Sequence, residues 1–346
     1  MRVLFCQTTP YPPEEIGGAL SNTHALCGML RTRGFDVSVL AGKCSISLRS
    51  VLQSIRPRTS PQLGYPVHRE NDPLTAARAL CREDKPALAV VQLGDIAGLS
   101  RVFVEEKVPA LVYFHDLYSV DPVVMSPGEP LLSYAASSEF LAGKIRKVFN
   151  CEISVLPVMV NAADYRVTTE RRVVTFVNPI PRKGVEIALA LAAYRPDIPF
   201  EFVEAWRLGG RVVKYLKARI LHHGNVRLLR STIDMRPVYQ RSRIVLAPSL
   251  CDEAWGRVVS EGQVSGIPAL VSDSGGLPAA IGPGGLIVSR AAPIVEWLHA
   301  LELLWDNGFE YDLLSTRASE HAARPDFQAD TIADRAAELF KAHGAC

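Results

Sequence analysis

The chain has 346 residues, of which 48% are hydrophobic and 21% are charged, and its formal net charge at pH 7 is +2. Single hydrophobic cores usually stop growing at roughly 250–300 residues, so this length predicts two domains. A net charge so close to zero excludes a broad electrostatic surface for nucleic acid, and any basic function must therefore be local.

The seven cysteines are scattered and contain no C-x-x-C pair, which argues against a disulfide framework or a zinc site and favours a reducing compartment. The opening apolar stretch, Met1 to Cys6, is too short for a signal peptide. No apolar run approaches the ~20 residues of a membrane-spanning helix. We therefore expect a cytoplasmic protein, with peripheral membrane contact left open.

The first half alternates short apolar strands with helical segments, the pattern of a parallel, doubly wound sheet in an α/β fold. The predicted strands are 3–6, 35–41, 87–93, 110–114, 134–138 and 153–156, and the predicted helices are 19–33, 74–82 and 96–106. We interpret residues 42–75 as a loop-rich insertion, and we expect the linker to the second domain to begin at Pro157.

Two features of the first half are candidates for ligand binding. Gly17 and Gly18 precede the first helix and would let a ligand approach the backbone closely, although a simple tight turn explains them equally well. His115 and Asp116 follow a strand at its carboxyl end, where ligands bind in α/β sheets, although a structural histidine is an equal alternative. The G-x-G-x-x-G fingerprint is absent, which weakens any nicotinamide or flavin hypothesis.

A new strand at 172–177 indicates a second sheet. The later predicted strands are 200–203, 225–229, 244–247, 269–272 and 286–288, with helices at 185–193, 208–221, 235–241, 256–265 and 293–307 and a helical C-terminal region. Arg182 and Lys183 lie between a strand and a helix, where two cations could hold a diphosphate. The alternative is that they are surface cations near a turn.

The stretch from Pro248 to Val288 places Glu253 and Glu261 eight positions apart around a predicted helix start. Eight helical residues rotate roughly 80° and rise about 12 Å, so both glutamates could line one elongated ligand. The helix N-terminus would suit a phosphate. The alternative is that both glutamates are ordinary solvated residues.

Taken together, these motifs closely resemble the family-4 retaining glycosyltransferases, which have the GT-B fold of two facing Rossmann-like domains with parallel sheets. The motifs that carry the resemblance are Gly17-Gly18, His115, Lys183-Gly184, the E-x7-E pair, Gly266-Ile-Pro268 and Gly275-Gly276. The resemblance implies an acceptor domain at 1–160 and a donor domain at 161–325. It also implies a C-terminal helix, 326–346, that returns to the first domain, where Phe327 to Phe340 would pack.

The resemblance also implies roles for individual residues. Glu261 would hold the donor ribose, Glu253 would face the sugar, and the backbone from Ala254 to Val258 would cradle the diphosphate and the sugar. The nucleobase would rest near Arg230-Ser231. The family's Gly-Arg pair is replaced by Val177-Asn178, and Arg182 would substitute for the missing arginine. The residues expected to bind the donor are Gly17, Gly18, Arg182, Lys183, Arg230, Ser231, Glu253, Ala254, Trp255, Gly256, Arg257, Val258 and Glu261, and the expected catalytic residues are His115, Lys183 and Glu253.

The predicted function is transfer of a sugar from a nucleotide-diphosphate-sugar donor to a carbohydrate, lipid-linked or small-molecule acceptor, with the anomeric configuration retained. The sequence has no Asp-x-Asp pair, so we expect no metal and no cofactor, with cations and helix dipoles neutralising the leaving diphosphate. A nucleotide-sugar epimerase of the same fold and a non-catalytic relative are the alternatives. No nucleic-acid partner is expected, and the sequence leaves the acceptor, the donor base and sugar, and the oligomeric state open.

Overall fold

A computed structural model describes residues 1–43, 59–60, 63–120, 128–205 and 208–344 of the chain. The chain divides into two compact units. The first unit comprises Met1–Met159 together with Ala329–Cys346, and the second comprises Val160–Gln328. The domain boundaries predicted from the sequence lie within three residues of these divisions.

The first unit is built around a sheet with the strand order β3-β4-β2-β1-β5-β6-β7-β8. Its neighbouring strands are parallel except for the short β3, which pairs antiparallel with β4. The strands are β1 (Arg2–Cys6), β2 (Asp36–Gly42), β3 (Thr59–Ser60), β4 (Tyr65–Glu70), β5 (Leu88–Val91), β6 (Ala110–Phe114), β7 (Leu132–Ala136) and β8 (Ser154–Val155). Within the described residues, the helices before the linker are α1 (Gly18–Thr32), α2 (Pro73–Glu83), α3 (Ile96–Glu105) and α4 (Glu139–Phe149).

The structure corrects two predictions in this unit. The insertion at 42–75 is not wholly irregular, because β4 pairs in parallel with β2 and buries Tyr65 and Val67. Pro66 between them is exposed near the start of the strand, and a proline there obscured the alternating pattern that would have predicted the strand. Much of that insertion, 44–58 and 61–62, lies outside the described residues.

Helix α4 was also missed by the sequence analysis. The Ser138 side chain caps it by accepting a hydrogen bond from the Leu141 amide at 3.2 Å. Leu141, Ala142 and Ile145 form its buried side, and Asn150 ends it in the left-handed conformation. The predicted strand at 134–138 ran through the serine cap and hid the helix that follows.

The C-terminal helix α12 (Ala329–Gly344) packs in the core of the first unit. Phe340 is fully buried, with its ring centroid 6.0 Å from that of Phe5. At the helix's exposed edge, Arg33 donates to Asp334 at 2.6 Å and to Asp330 at 3.0 Å. The expectation for Phe327 is corrected, because this residue lies in the second unit. Its ring centroid is 5.2 Å from that of Trp255 and 5.9 Å from that of His321.

The second unit is built around a parallel sheet with the strand order β11-β10-β9-β12-β13-β14. Its strands are β9 (Val173–Val177), β10 (Phe200–Val203), β11 (Val226–Leu229), β12 (Ser242–Ala247), β13 (Ala269–Ser272) and β14 (Gly285–Val288). Its helices are α5 (Val185–Tyr194), α6 (Gly210–Ile220), α7 (Arg236–Arg241), α8 (Arg257–Gln263), α9 (Leu277–Ile281), α10 (Ile294–Asp306) and α11 (Gly308–Ala322). Apolar clusters on the two faces of the sheet complete its core.

The predicted strands of the second unit are confirmed to within two residues at each end. The helix predicted at 256–265 is shorter, since Gly256 precedes it with a left-handed φ of 107° and regular helix ends at Gln263. The short helix α9 was not predicted, because its five residues follow a glycine-rich turn. Over the described residues, none of the helices is both long and apolar enough to cross a bilayer.

The packing of α12 yields a stability prediction. Replacing Phe340 by alanine removes a fully buried ring, so the free energy of unfolding should fall by about 3–5 kcal/mol. Urea denaturation followed by far-UV circular dichroism measures this loss, and Glu338→Ala, at an exposed position of the same helix, should change stability by less than about 0.5 kcal/mol. Equal stabilities for both variants would contradict the place given to α12 in this core.

Candidate functional site

The carboxyl ends of the second unit's parallel strands lie along one edge of the sheet, where α/β proteins bind ligands. Arg182 and Lys183 lie just after β9, in a 3₁₀ turn that spans Pro181–Lys183. The loop with Glu253 follows β12, the neighbouring strand. Predicted site residues that are 70 positions apart in sequence are thereby brought together.

Lys183 and Glu253 form an ion pair in which the lysine Nζ donates to the carboxylate Oε1. The same oxygen accepts a hydrogen bond from the Ser249 hydroxyl. The Lys183 and Glu253 side chains are 22% and 16% exposed, so the pair is mostly buried but still reaches solvent. Gly184 makes the approach possible, because its φ is +82° and a Cβ there would lie 2.0 Å from the Pro248 carbonyl oxygen.

The loop with Glu253 is also held from its other side. The hydroxyls of Ser272 and Ser274 both donate to the Ser249 carbonyl at 2.7 Å, and the Gly276 amide donates to the Glu253 carbonyl at 2.7 Å. A Cβ on Gly275 would lie 2.2 Å from that same carbonyl oxygen of Glu253. Because Gly275 and Gly276 have no side chains, the loop with Glu253 packs directly against their backbone.

Glu261 is buried, with 6% of the residue exposed, which excludes the alternative that it is a solvated helix residue. Both of its carboxylate oxygens are engaged within the protein. Arg257 Nε donates to Oε1 at 2.6 Å, and the Tyr239 hydroxyl donates to Oε2 at 2.6 Å. Arg257 Nη2 donates in turn to the Tyr165 hydroxyl at 2.8 Å. Burial, followed by the charge of Glu261, raises the pKa of Tyr239 well above its ordinary value and that of Tyr165 to about 12.

This cluster adds residues that the sequence analysis missed. Arg257 was expected to contribute its backbone, but its side chain is the chief partner of Glu261. The i,i+4 spacing of the two residues on one helix could have indicated this pair. Tyr165 and Tyr239 come from separate segments of the chain, and no local pattern connects them to Glu261.

The remaining candidates of the second unit lie around these two clusters. The Trp255 indole donates to the Ser260 hydroxyl at 3.0 Å, Gly256 has a left-handed φ, and Ala254 and Val258 are half-buried. Arg182 is exposed, and its carbonyl accepts the Leu250 amide at 2.9 Å.

The expected nucleobase loop carries an ion pair that the sequence analysis also missed. Arg230 is 70% exposed, and its Nη1 lies 3.3 Å from Oε1 of Glu204, whose side chain is 1% exposed. Ser231 next to it is half-buried. Glu204 directly follows β10, so its position at a strand's carboxyl end was the available signal.

In the first unit, Gly17 precedes α1 with an extended φ of 168°, and a Cβ there would meet no atom within 4 Å. Gly18 is the first residue of the helix. Neither backbone conformation nor packing therefore demands a glycine at position 17. Close approach of a ligand remains the prediction for this pair.

His115 follows β6 and is half-buried. Its Nε2 lies 2.8 Å from the Gln92 side-chain oxygen, and its ring centroid lies 4.2 Å from that of Tyr113. Burial lowers the pKa of His115 to about 4, against the opposing charge of Asp116. A pKa in this range favours the neutral imidazole at physiological pH.

In the described part of the chain, no three histidine, cysteine, aspartate or glutamate side chains come close enough to hold a metal ion. The cysteines at positions 6, 27, 81, 151 and 251 are free thiols. The expectations of no metal and no cofactor remain predictions.

Comparison with known proteins finds a family that the second unit resembles. Residues 171–307 match the family described as "Glycosyl transferases group 1". The D-inositol 3-phosphate glycosyltransferase of Corynebacterium glutamicum is 25% identical over 72% of this chain and 57% of its own length. The chain thus aligns with little more than half of that relative. The enzyme of the same name from Corynebacterium urealyticum is 24% identical over 99% of this chain and 81% of its own length.

Solved structures match across the whole chain. Anabaena HepE in complex with UDP-glucose is 17% identical, with a TM-score of 0.77 over 99% of this chain and 100% of its own. Sucrose-phosphate synthase from Thermosynechococcus elongatus is 15% identical, with a TM-score of 0.80 over 100% of this chain and 99% of its own. These likenesses identify the GT-B fold predicted from the sequence. The family match over residues 171–307 and this fold make the chain similar to the group 1 glycosyltransferases.

Proposed function

We propose that the protein transfers a sugar from a nucleotide-diphosphate-sugar donor to an acceptor hydroxyl, with retained configuration and without a metal ion. The observation that carries this proposal is the partly exposed ion pair of Lys183 and Glu253 at the carboxyl edge of the second sheet. The group 1 match over residues 171–307 and the UDP-glucose complex of HepE support it. The corynebacterial relatives are named D-inositol 3-phosphate glycosyltransferases, and the proposal leaves the acceptor of this chain open.

Lys183 is suited to the charge that develops on the leaving diphosphate. Glu253 holds its ammonium group at the carboxyl edge of the second sheet, and the Ser249 hydroxyl donates a second hydrogen bond to the same carboxylate. When an anion enters, Lys183 can therefore turn toward it while Ser249 still satisfies Glu253. A cation arranged in advance in a site with little water stabilises a developing negative charge strongly.

Glu261 is suited to bind the donor ribose through its carboxylate. Arg257 and Tyr239 hold one oxygen each, and each carboxylate oxygen has a further lone pair that can accept a ribose hydroxyl. The carboxylate is thus fixed before the donor arrives. Fixing a binding group in advance lowers the entropy cost of forming the complex.

The proposed reaction breaks the bond between the anomeric carbon and the diphosphate oxygen and forms a bond to the acceptor oxygen on the same face. The acceptor proton goes to the leaving diphosphate, whose new charge Lys183 offsets. Neutral His115 would contact the donor sugar through a hydrogen bond. Glu253 would face the sugar once Lys183 has turned toward the diphosphate.

The direct test is incubation with UDP-glucose and a panel of other nucleotide sugars, with and without candidate acceptors such as inositol phosphates. Mass spectrometry should detect a glycosylated acceptor and one nucleoside diphosphate per transfer. Conversion of the donor into an epimer without any acceptor would instead identify a nucleotide-sugar epimerase. An inert protein that binds donors tightly would be a non-catalytic relative.

We expect Lys183→Ala to reduce turnover by about 10² or more, since one electrostatic stabiliser of the leaving group is lost. Lys214→Ala, at an exposed position of α6, is the matched control and should keep normal turnover. Steady-state kinetics with saturating donor measures both variants. Near-normal turnover of Lys183→Ala would remove this lysine from the site.

Glu261→Gln should weaken donor binding by about tenfold or more while changing the maximal rate little, since a ribose contact acts alike in ground and transition states. The glutamine keeps an acceptor for Arg257, whereas alanine would leave a buried guanidinium unpaired at a cost of roughly 3–5 kcal/mol. Glu186→Gln is the control, because Tyr215 and Arg219 bind its two oxygens at an exposed site. Calorimetric titration with the donor gives the affinities. A variant that loses rate but keeps its donor affinity would refute the ribose role of Glu261.

The proposed metal independence predicts that a chelator has little effect. Transfer rates measured with excess EDTA should stay within about twofold of those with added magnesium or manganese, because cationic side chains and helix dipoles supply the charge. Loss of activity in EDTA that returns with a divalent cation would contradict this part of the proposal.

A further inference from the structure

A buried chain of amide groups in the first unit leads from backbone carbonyls to His115. Gln7 follows β1, Gln92 follows β5, and His115 follows β6, three neighbouring strands of the sheet. Gln7 and Gln92 are fully buried, and Thr23 of α1 completes the group. Side chains with both donors and acceptors are costly to bury unless every bond is matched.

The orientation of Gln7 is fixed at the start of this chain. Its side-chain nitrogen lies 3.1 Å from the Thr9 carbonyl oxygen and 2.7 Å from the Pro10 carbonyl oxygen. Carbonyl oxygens can only accept hydrogen bonds, so the Gln7 amide must turn its NH₂ group toward them. Its oxygen therefore faces Gln92 and can only accept.

Gln92 must then present its NH₂ group to Gln7. That nitrogen lies 3.3 Å from the Gln7 oxygen and 2.8 Å from the Thr23 hydroxyl oxygen. Each of the two hydrogens on the Gln92 nitrogen therefore has an acceptor. The Thr23 hydroxyl has two acceptors for its own hydrogen, the Ala19 carbonyl and the Gln92 oxygen, each at 3.0 Å, and the Gln92 oxygen only accepts in either case. The Gln92 oxygen is left facing His115 at 2.8 Å, so Nε2 of His115 must carry the hydrogen.

We propose that Gln92 is a positioning residue that, anchored by Gln7, holds His115 in the Nε2–H tautomer and so leaves Nδ1 as a hydrogen-bond acceptor. Tyr113 fixes the plane of the ring, because its hydroxyl donates to the Leu156 carbonyl at 2.8 Å and the two rings are in contact. Among the described residues, none donates a hydrogen bond to Nδ1. An acceptor at this place would bind a ligand hydroxyl and would discriminate against a phosphate oxygen, which also accepts.

The tautomer concerns the protein alone, whereas its use in binding a donor sugar rests on the proposed function. Asp116 is the charged group that acts on His115, and its effect opposes that of burial. The Asp116 carboxylate is itself held by the amide and hydroxyl of Ser119, at 2.8 and 2.9 Å. A carboxylate in place of Gln92 would add a second negative group at hydrogen-bond distance.

The tautomer is measured by long-range ¹H–¹⁵N correlation spectra of the histidine-labelled full chain, with His115 assigned from a His115→Asn spectrum. The wild-type protein should show Nε2 protonated and Nδ1 unprotonated from pH 6 to 8. Gln7→Leu and Gln92→Met should each give a mixture of tautomers, and thermal unfolding checks that both variants fold. Ser100→Ala, at another buried position of this unit, should leave the spectrum unchanged. A wild-type His115 protonated at Nδ1, or an unchanged tautomer in Gln92→Met, would overturn the proposal.

Gln92→Glu gives an independent readout through the pH dependence. A carboxylate beside Nε2 favours imidazolium and should raise the pKa of His115 by about one to three units. The neutral acceptor form exists above that pKa, so transfer by the variant should fall as the pH decreases toward 6, while the wild-type rate shows no step from His115 there. An unchanged pKa of His115 in Gln92→Glu would contradict the positioning role of Gln92. If the spectra show the expected tautomers but no sugar transfer is detected, only the proposed function is contradicted.

Discussion

The ion pair between Lys183 and Glu253 is the interaction on which the candidate site depends. It joins the carboxyl ends of two neighbouring strands and can form only because Gly184 lets these ends approach closely. The loop that carries Glu253 packs closely against Gly275, and two serine hydroxyls donate hydrogen bonds to its backbone. A cation and a carboxylate are thereby held in one place, which is what the proposed contacts to a diphosphate and a sugar require.

Both units use buried polar networks to fix single functional groups. In the second unit, Arg257 and Tyr239 hold the two oxygens of Glu261, and in the first, Gln7 and Gln92 determine which nitrogen of His115 carries a hydrogen. Such networks are costly when incomplete, so they restrict side chains to one arrangement. The proposed roles in donor binding rest on this restriction more than on any one contact.

The sequence predicted the two parallel sheets because alternating apolar strands and glycine-bounded helices are local patterns, and its short motifs predicted the fold through their resemblance to a known family. It brought Glu253 and Lys183 to the same site only through the resemblance, since their contact spans 70 residues. Tyr239 beside Glu261 and Gln92 beside His115 were missed because hydrogen bonds between distant segments leave no periodic signal, whereas the i,i+4 spacing of Arg257 and Glu261 was an available signal that was not used. Helix α4 was missed for another reason, namely that its serine cap directly follows an apolar strand.

Hydrogen–deuterium exchange of the wild-type protein with and without nucleotide sugars tests the central claim most directly. A bound donor should slow exchange at the backbone amides of residues 182–184 and 249–263 in a saturable manner, because the ligand would cover this edge of the second sheet. UDP-glucose is the first donor to use, since HepE was solved with it. Unchanged exchange in both segments across a full panel of nucleotide sugars, at concentrations up to the millimolar range, would contradict the account.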